Sequence, residues 1–326
     1  MPSTATRYLG LDLNSPIILS SSNLSNTMNG IRRAADAGVG AVVLKSLFEE
    51  QIEAETAQDS EEVDYSIHPE AEEYVRQMGK HLGPDRYLKL LAEARSSVDV
   101  PIIASVNCVT PRWWGDYGRQ IESAGADAIE LNIAIMPREG EDAASVENAY
   151  VEIVERVRDQ VGLPIAVKIG PYFTSLQPLL ERFHRAGAAA AVLFNRFYQL
   201  DIDTEKLELA AGYQFSAPEE IHTVLRWVSI LSGDTPLELA GSTAVYTGND
   251  VVKMLLAGAT AVQACSTVYR NGYERIGEMN AELESWMQGH GFTTIEEFRG
   301  RLSQAGSDSP ESYERLQYIK ALTGIS

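Results

Sequence analysis

Residues Leu237–Gly272 have the sequence LELAGSTAVYTGNDVVKMLLAGATAVQACSTVYRNG, in which two short apolar runs flank a helical pattern. The runs, Leu237–Ala240 and Ala259–Gln263, each end in small polar residues. Between them, Asn249–Leu256 has apolar residues at helical spacing, and Gly258 follows as a helix stop. Small residues at strand ends let backbone N–H groups approach an anion. Because the last two strands of (β/α)₈ barrels commonly hold a phosphate in this way, the segment predicts a barrel that binds a phosphorylated ligand.

The rest of the chain repeats this alternation of apolar runs and helical patterns. Six further strands are predicted at Pro16–Leu19, Val39–Leu44, Val100–Val106, Ala126–Leu131, Pro164–Val167 and Ala188–Phe194. Four strands follow an Ala-Gly tag that predicts a left-handed helix cap at Gly38, Gly125, Gly187 and Gly258. Eight strands alternating with helices predict a (β/α)₈ barrel. A doubly wound open sheet is the alternative, but the loop after the first strand lacks the glycines of a dinucleotide site.

The predicted fold class is therefore α/β, a single (β/α)₈ TIM barrel with a rim insertion after strand 2 and a C-terminal helical extension. We expect residues 1–288 to form the barrel and residues 289–326 to form the extension packed on it. A short leader precedes the first strand. Residues 47–82 form an acidic insert without a clear period, and Arg196–Phe215 is predicted to be a long irregular segment.

The composition is that of a globular protein, with 326 residues of which 44% are hydrophobic. The net charge of −19 argues against nucleic acid or an anionic membrane as the main partner. The two cysteines exclude a disulfide framework and favour a reduced, cytoplasmic setting. The start of the chain lacks a signal-peptide pattern, and no apolar run reaches the ~18 residues of a membrane span. The five histidines include no pair at metal-ligand spacing, so no metal site is predicted.

Polar residues at the carboxyl ends of the predicted strands carry the functional argument, because barrel active sites lie on that face. They are Ser20–Ser22, Lys45-Ser46, Asn107, Asn132, Lys168, Asn195, Gly241-Ser242 and Ser266-Thr267. Two cations beside one ring would stabilise a reduced, anionic form of that ring. Asparagines suit a planar ligand with amide and carbonyl groups, and the small-residue loops would hold a phosphate. The pattern therefore favours FMN as the cofactor.

These strand ends resemble the class 1 dihydroorotate dehydrogenase family of FMN-dependent (β/α)₈ enzymes. The resemblance extends from about Leu9 to Gly272 and rests on PIILSSS, VVLKS, PIIASVN, DAIELN, IAVKIGPYF, LFN and TGNDVVKMLLAGATAVQACSTVYRNG. The tail GFTTIEEFRG also resembles the end of the FMN barrel of dihydropyrimidine dehydrogenases. The resemblance implies an oxidoreductase of pyrimidine biosynthesis that oxidises dihydroorotate or a related dihydro ring, with hydride transfer to flavin N5.

The resemblance also implies roles for the site residues. Lys45 and Ser46 would contact the flavin ring, and Lys168 would lie near its N1 and C2 carbonyl edge. Asn132 and Asn195 would hydrogen-bond both the flavin neighbourhood and a pyrimidine substrate. The phosphate would lie against Gly241, Ser242, Ser266 and Thr267. The full set expected to bind FMN is Ser21, Lys45, Ser46, Asn107, Asn132, Lys168, Gly241, Ser242, Ser266 and Thr267.

Three positions depart from the family pattern. The family's catalytic loop is Asn-x-Ser-Cys-Pro-Asn, or has Ser for Cys, and that Cys or Ser is the base. Here Ile135 stands at the position of the base and cannot accept a proton. The family's Asn-x-x-Gly-x-x-Asn substrate loop is absent, and the acidic insert takes its place. Gly-Gly pairs near the phosphate are replaced by Phe215-Ser216-Ala217 and Ala240-Gly241-Ser242. The catalytic base is therefore unknown.

Several other residues could act at the rim. Cys108 could be a relocated base and His68 a lid residue, but a buried filler and a solvated loop histidine are the favoured interpretations. Cys265 is expected to be structural. Ligand stacking and ordinary loop packing are equally expected for Tyr172, Tyr198 and Tyr213. A partner surface and a substrate wall both remain open for Trp113 and Trp114.

Three functions remain open at this point. The first is an FMN-dependent dehydrogenase of the CH–CH type. For this function the family resemblance also implies a homodimer and an electron-transfer partner. The second is a Schiff-base aldolase or lyase that uses Lys168 on a phosphorylated sugar. The third is a flavin-binding protein without dihydroorotate activity, which the replacement of the base by Ile135 suggests.

Overall fold

The structure is a computed structural model that describes residues 2–52, 83–108, 114–137, 139–196, 199–212, 214–313 and 315–324. The strands are β1 (Thr6–Tyr8), β2 (Leu11–Leu13), β3 (Ile17–Leu19), β4 (Ala41–Val43), β5 (Leu47–Phe48), β6 (Ile102–Cys108), β7 (Ala128–Ile133), β8 (Ile165–Ile169), β9 (Ala190–Leu193), β10 (Gln199–Asp203), β11 (Glu208–Gly212), β12 (Glu238–Ser242) and β13 (Ala261–Ala264). The helices are α1 (Met28–Asp36), α2 (Pro84–Ser97), α3 (Trp114–Ser123), α4 (Ala143–Arg158), α5 (Leu176–Ala186), α6 (Ile221–Leu231), α7 (Gly248–Ala257), α8 (Ser266–Asn271), α9 (Glu274–His290) and α10 (Arg315–Thr323).

Within this described part of the chain, eight parallel strands close into a barrel. Their hydrogen-bonded order is β3, β4, β6, β7, β8, β9, β12 and β13, and β13 pairs back onto β3. The predicted (β/α)₈ TIM barrel is therefore confirmed, and the open doubly wound sheet is excluded. The four tagged glycines are also confirmed as left-handed, with φ angles from +86° to +111° at Gly38, Gly125, Gly187 and Gly258.

Helix α7 shows how local sequence sets the element boundaries. The Thr247 hydroxyl accepts from the Asp250 N–H, and the Asp250 carboxylate accepts from the Thr247 N–H, which together form a capping box. Val251 and Leu255 are buried at helical spacing, so the helix packs one face on the barrel. Gly258 then ends the helix in the left-handed conformation.

Two segments differ from the sequence prediction. The sequence predicts no element in the leader, where β1 and β2 form an antiparallel hairpin. Arg196–Phe215 is not irregular, because β10 and β11 form a second antiparallel hairpin with Ile202 paired to Leu209. That prediction was wrong because the apolar residues alternate with acidic ones, a period-2 pattern that resembles a polar loop in composition.

The interior of the barrel is filled by small side chains and closed by the first hairpin. Six alanines line it: Ala41, Ala128, Ala166, Ala190, Ala240 and Ala261. Tyr8 and Leu9 are buried against them. The Leu9 N–H donates to the carboxylate of Glu238, the first residue of β12, at 2.6 Å. The hairpin therefore covers the amino-terminal ends of the strands and leaves the opposite rim for a ligand.

A bulge interrupts the second barrel strand at its carboxyl end. Both β4 and β5 pair with β6, and Val43 lies opposite Ile103 while Leu47 lies opposite Val106. From Val43 to Leu47 the bulged strand advances four residues, while β6 advances three. Segment 44–46 therefore contains one extra residue. Lys45 and Ser46 lie in this bulge.

The C-terminal part packs beside α9. Ile295 and Phe298 are fully buried, and Phe298 contacts Trp286 with a ring-centroid distance of 5.0 Å. The division into a barrel and an extension at residue 288 stays a prediction. None of the helices among the described residues combines the length and the apolar character needed to cross a membrane.

Some predicted residues fall outside the described part of the chain. They are His68, Trp113, Tyr198, Tyr213 and, in the acidic insert, residues 53–82. The side chains of Cys108 and Trp114 are likewise outside it.

Candidate functional site

Three of the predicted polar residues lie side by side at the strand tips. Asn107 of β6 pairs with Asn132 of β7, and Asn132 pairs with Lys168 of β8. Paired residues on neighbouring strands project to the same face of the sheet, so the three side chains share one level of the rim. Asn195, which follows β9, joins them because its Nδ2 donates to the Oδ1 of Asn132 at 2.8 Å.

Lys168 is a buried cation held by oxygen atoms. Its side chain is only 6% exposed, and its Nζ donates to Ser20 Oγ at 3.0 Å and to Gln263 Oε1 at 2.6 Å. The Oε1 atom of Glu130 lies 3.7 Å from the same nitrogen. A buried cation needs such partners, because an unpaired charge away from water is strongly destabilising.

Glu130 lies two residues before Asn132 on β7 and faces the barrel interior one layer below the rim. Its Oε2 accepts a hydrogen bond from Gln263 Nε2, while its Oε1 has no hydrogen-bond partner among the described residues. Burial, with a smaller contribution from the Glu130 carboxylate, raises the pKa of Tyr8 well above its usual value. The strand patterns do not predict Glu130 or Gln263 as site residues. The sequence signal that could have identified them is a polar residue inside an otherwise apolar run, namely Glu130 in DAIELN and Gln263 in TAVQA.

An open cleft of about 490 Å³ lies at this rim. The predicted residues that line it are Ser21, Lys168, Asn195, Ser242 and Ser266. Its other lining residues are Ser20, Phe194, Arg196, Ser216, Thr243, Ala244, Val245, Gln263 and Cys265. Residues from β3, β8, β9, β12 and β13 and the loops after them therefore meet around one space.

One side of the cleft is rich in hydroxyl groups. Ser266 Oγ accepts hydrogen bonds from the backbone N–H and the hydroxyl of Ser216, at 3.2 and 3.0 Å. Thr243 and Ala244, which line the same cleft, have φ angles of +88° and +60°, a region that residues with a Cβ rarely occupy. Such conformations cluster at ligand-binding sites, where the surrounding structure holds them in place. Here the Thr243 hydroxyl donates to the carbonyl of Phe194 at 3.1 Å.

Two residues predicted to contact a phosphate have other neighbours. Gly241 faces helix α7, since a Cβ at this position would lie 2.8 Å from Met254 Sδ. Thr267 is fully buried, and its hydroxyl donates to the carbonyl of Tyr246 at 3.3 Å. Neither residue is among the described residues that line the cleft, and their contact with a phosphate stays a prediction.

Lys45 and Ser46 line a smaller hollow beside the main cleft, together with Tyr87 of α2. The Ser46 hydroxyl contacts Ser21 Oγ at 3.0 Å and Ser105 Oγ at 2.8 Å, so a row of hydroxyls joins the hollow to the cleft. Tyr87 Oη donates to the Ser105 carbonyl and accepts from the Ser105 N–H. Burial lowers the pKa of Lys45 below its usual value.

Segment 133–137, at the end of β7 and the start of the loop after it, contains no side chain that could accept the substrate proton. Residues 133–137 are Ile-Ala-Ile-Met-Pro. The Ile135 N–H donates to Tyr150 Oη at 3.1 Å, and the Ile135 side chain packs on the core. Met136, in contrast, is 72% exposed. The structure therefore places an apolar side chain at the position where the family pattern has its base.

Two further candidates are placed by the structure. Burial raises the pKa of the Cys265 thiol, an effect that the nearby Lys168 charge partly offsets. Cys265 therefore stays protonated at neutral pH and lines the cleft as a small neutral group. Tyr172 is 72% exposed in the loop after β8.

The described rim thus offers one buried cation, a linked pair of amides and a group of hydroxyls around a single cleft. The cation and amides suit the polar edge of a planar ring that gains negative charge, and the hydroxyls with the left-handed loop suit an anionic group. The Schiff-base alternative finds less support, because attack by Lys168 would require the loss of its contacts to Ser20 and Gln263.

The comparisons with known proteins agree with this geometry. The family model for dihydroorotate dehydrogenase matches residues 3–287. The catalytic subunit of dihydroorotate dehydrogenase B (NAD(+)) from Pyrococcus abyssi is 26% identical over 298 residues, which cover 89% of this chain and 96% of that protein. The subunits of the same name from Thermococcus kodakarensis and Methanosarcina mazei are each 28% identical, over 89% of this chain and 95% and 92% of theirs.

The match covers nearly the whole barrel, including every strand that contributes to the cleft. Members of the matched family are flavin-dependent oxidoreductases of the CH–CH type, built on a TIM barrel. The chain belongs to the dihydroorotate dehydrogenase family.

Proposed function

We propose that this protein is an FMN-dependent dehydrogenase that oxidises dihydroorotate or a related dihydro ring. The observation that carries the proposal is the convergence of Lys168, the Asn132–Asn195 pair and the Ser242–Ser266 side of the cleft on one rim. Family membership supports the flavin and the reaction class.

The residues of the cleft fit FMN. A planar ring that gains charge needs a cation at its edge, and the Lys168 ammonium lines the cleft while Ser20 and Gln263 hold it in place. An ester phosphate needs hydroxyl and N–H donors, which Ser242, Ser266 and the left-handed loop 243–244 offer. When bound, FMN supplies a two-electron acceptor that takes a hydride at N5.

The chain's own residues would bind and orient the substrate. The hydrogen bond between Asn195 and Asn132 leaves the Nδ2 of Asn132 and the Oδ1 of Asn195 free to pair with a ring that presents both carbonyl and N–H groups. Asn107 lies beside Asn132 in register and extends this amide row. Ser21 and Ser46 lie at the adjoining edge, near Lys45.

Oxidation of dihydroorotate removes a proton as well as a hydride from the substrate, and the family base that would accept this proton is missing here. Ile135 cannot accept it, and general-base catalysis is worth roughly 10²- to 10⁴-fold in rate. This observation favours a second candidate, a flavin-binding protein of this family that is catalytically silent or sensing and has no dihydroorotate activity.

The homodimer and the electron-transfer partner stay predictions. Leu200, Ile202 and Leu209 form the apolar face of the β10–β11 hairpin and are each more than half exposed. Exposed apolar patches of this kind mark protein contacts. We expect a second copy of this chain to cover the hairpin. Light scattering of the purified protein gives its molar mass and so tests whether the protein is a dimer.

A visible spectrum followed by one anaerobic titration tests the proposed function. The purified protein is expected to be yellow, or to become so with added FMN, and dihydroorotate is expected to bleach it. A colourless protein that takes up no FMN contradicts the proposal. A yellow protein that dihydroorotate does not bleach leaves two possibilities, a dehydrogenase of a related dihydro ring and the second candidate.

A further inference from the structure

We propose that Glu130 is the counter-ion of Lys168 and sets how easily the bound flavin is reduced. The inference rests on the proposed function and deepens it, because it assigns an electrostatic role to a residue below the flavin-binding rim. It requires that the carboxylate is close to the ammonium, that it is kept from water, and that the position of Lys168 does not depend on the negative charge of the carboxylate.

The first two conditions follow from the geometry. Glu130 Oε1 lies 3.7 Å from Lys168 Nζ, and the two side chains are 1% and 6% exposed. Charges shielded from water are screened less than surface pairs, so the carboxylate acts on the ammonium with little attenuation by salt. Because Oε1 has no hydrogen-bond donor in the structure, its interaction with its surroundings is mainly this electrostatic one.

The third condition follows from the other partners of the lysine. Ser20 Oγ and Gln263 Oε1 accept hydrogen bonds from Nζ at 3.0 and 2.6 Å, and Ser20 also donates to Gln263 at 3.0 Å. Gln263 is in turn held by its Nε2 donation to Glu130. A glutamine at position 130 can accept this same hydrogen bond through its carbonyl oxygen, so the orientation of Lys168 is retained when the charge is removed.

The electrostatic potential at this edge of the cleft depends on the pair of Lys168 and Glu130. Among the described residues that line the cleft, the cations are Lys168 and Arg196, and Arg196 is neutralised by Glu220 at 2.9 Å. Lys168 is thus the cation available to a ring in the cleft. Glu130, buried behind it, offsets part of its positive potential and makes the addition of electrons to that ring less favourable.

The test is the two-electron midpoint potential of bound FMN in the wild type and in Glu130→Gln. We expect the variant to favour the reduced flavin by about tenfold in the reduction equilibrium, which is about 30 mV in the positive direction for a two-electron couple. Glu130→Asp keeps the charge and is expected to stay within about threefold of the wild type, since only one methylene is lost. A residue with a merely structural role would not shift the potential.

Glu238→Gln is the matched control, because Glu238 also lies against the barrel interior but at its amino-terminal end, where it accepts from the Leu9 N–H. Removal of the Glu238 charge is expected to leave the midpoint potential of bound FMN unchanged. If Glu130→Gln does not fold, Glu130→Asn removes the same charge, keeps a carbonyl oxygen that can accept from Gln263, and is expected to shift the potential in the same direction.

The possible failures are distinguishable. A wild-type protein that binds no FMN overturns the proposed function. A wild type that binds FMN, together with a charge-removing variant whose potential is unchanged or more negative, overturns the role of Glu130 alone.

Discussion

The Nδ2 of Asn195 lies 2.8 Å from the Oδ1 of Asn132, a hydrogen bond that connects the tips of β9 and β7 across the tip of β8. Lys168 stands on β8 between them, in register with Asn132. The two amides therefore fix each other's orientation beside the cation. A ligand that enters the cleft meets donors and acceptors that are already oriented, which lowers the entropy lost on binding.

Asn195→Ala is expected to lower kcat/KM for the dehydrogenation substrate by about 10- to 100-fold. The substitution removes one amide and frees the other, and an unmade polar contact at a buried site is worth about 1–3 kcal/mol. Steady-state kinetics measure the effect. Asn148→Ala, on the outer face of α4, is the control and should behave as the wild type. Equal kinetics for both variants would argue that the substrate does not contact Asn195.

Ile135→Cys is expected to increase dihydroorotate oxidation by about tenfold or more, because it restores a proton acceptor at the position of the family base. Anaerobic bleaching of the flavin gives the rate of this half-reaction. Met136→Cys places the same thiol on the exposed neighbouring residue and should give no increase. A thiol at position 135 that leaves the rate unchanged, with FMN bound normally, would direct the search to another substrate.

Ser266→Ala is expected to weaken FMN binding by about 10- to 100-fold, since one hydrogen bond to a charged group contributes about 1.5–3 kcal/mol after exchange with water. Fluorescence quenching of FMN on titration with the apoprotein gives the dissociation constant. Ser285→Ala, on the exposed face of α9, is the control. The variant also loses contacts with Ser216, so its melting temperature without FMN must match the wild type for the affinity to be interpreted.

Tyr87→Phe is expected to destabilise the protein by about 1–3 kcal/mol, because it leaves the buried N–H and carbonyl of Ser105 without their partner. Urea denaturation at neutral pH measures the loss. Tyr318→Phe removes a hydroxyl from the exposed face of α10 and should change the free energy of unfolding by less than about 0.5 kcal/mol.

Tyr8→Phe should behave differently, because the Tyr8 hydroxyl is buried and finds no hydrogen-bond partner in the described part of the chain. At neutral pH the variant is expected to be as stable as the wild type or more so. Burial raises the pKa of Tyr8 in the folded state above that in the unfolded chain, about 10. The wild type therefore loses stability as the pH rises above about 10, by about 1.4 kcal/mol per pH unit for this group.

Denaturation at pH 8 and pH 11 checks this pH dependence. The free energy of unfolding of Tyr8→Phe should fall less between the two values than that of the wild type. Identical losses would show that the pKa of Tyr8 is not raised in the folded state.

Much of the fold is predictable because its signals are local. Gly38 and Gly258 end helices through their own backbone freedom, and Asn132 and Lys168 end strands whose apolar runs are short and continuous. Such features do not depend on how distant parts of the chain meet. The order of strands then follows from the regular alternation with helices.

The features that were not predicted depend on contacts between distant residues. The β1–β2 hairpin is defined by its burial against β12, more than two hundred residues away. Glu130 and Gln263 stand in buried strands, and only the closed barrel shows that they meet. Gly241 was expected to line the phosphate site because the strand was predicted to end at Ala240. The strand continues to Ser242, so the alternation turns Gly241 towards Met254.

Because of the bulge at segment 44–46, the direction of the side chains at this strand tip depends on the number of residues there as well as on their identity. Removing one residue would restore equal spacing between Val43 and Leu47 on one strand and Ile103 and Val106 on the other. The sheet would still close, but the side chains of the tip would exchange faces. Lys45 and Ser46 therefore owe their direction to an insertion of a single residue, and a homologue with a deletion there would need a different cation in its place.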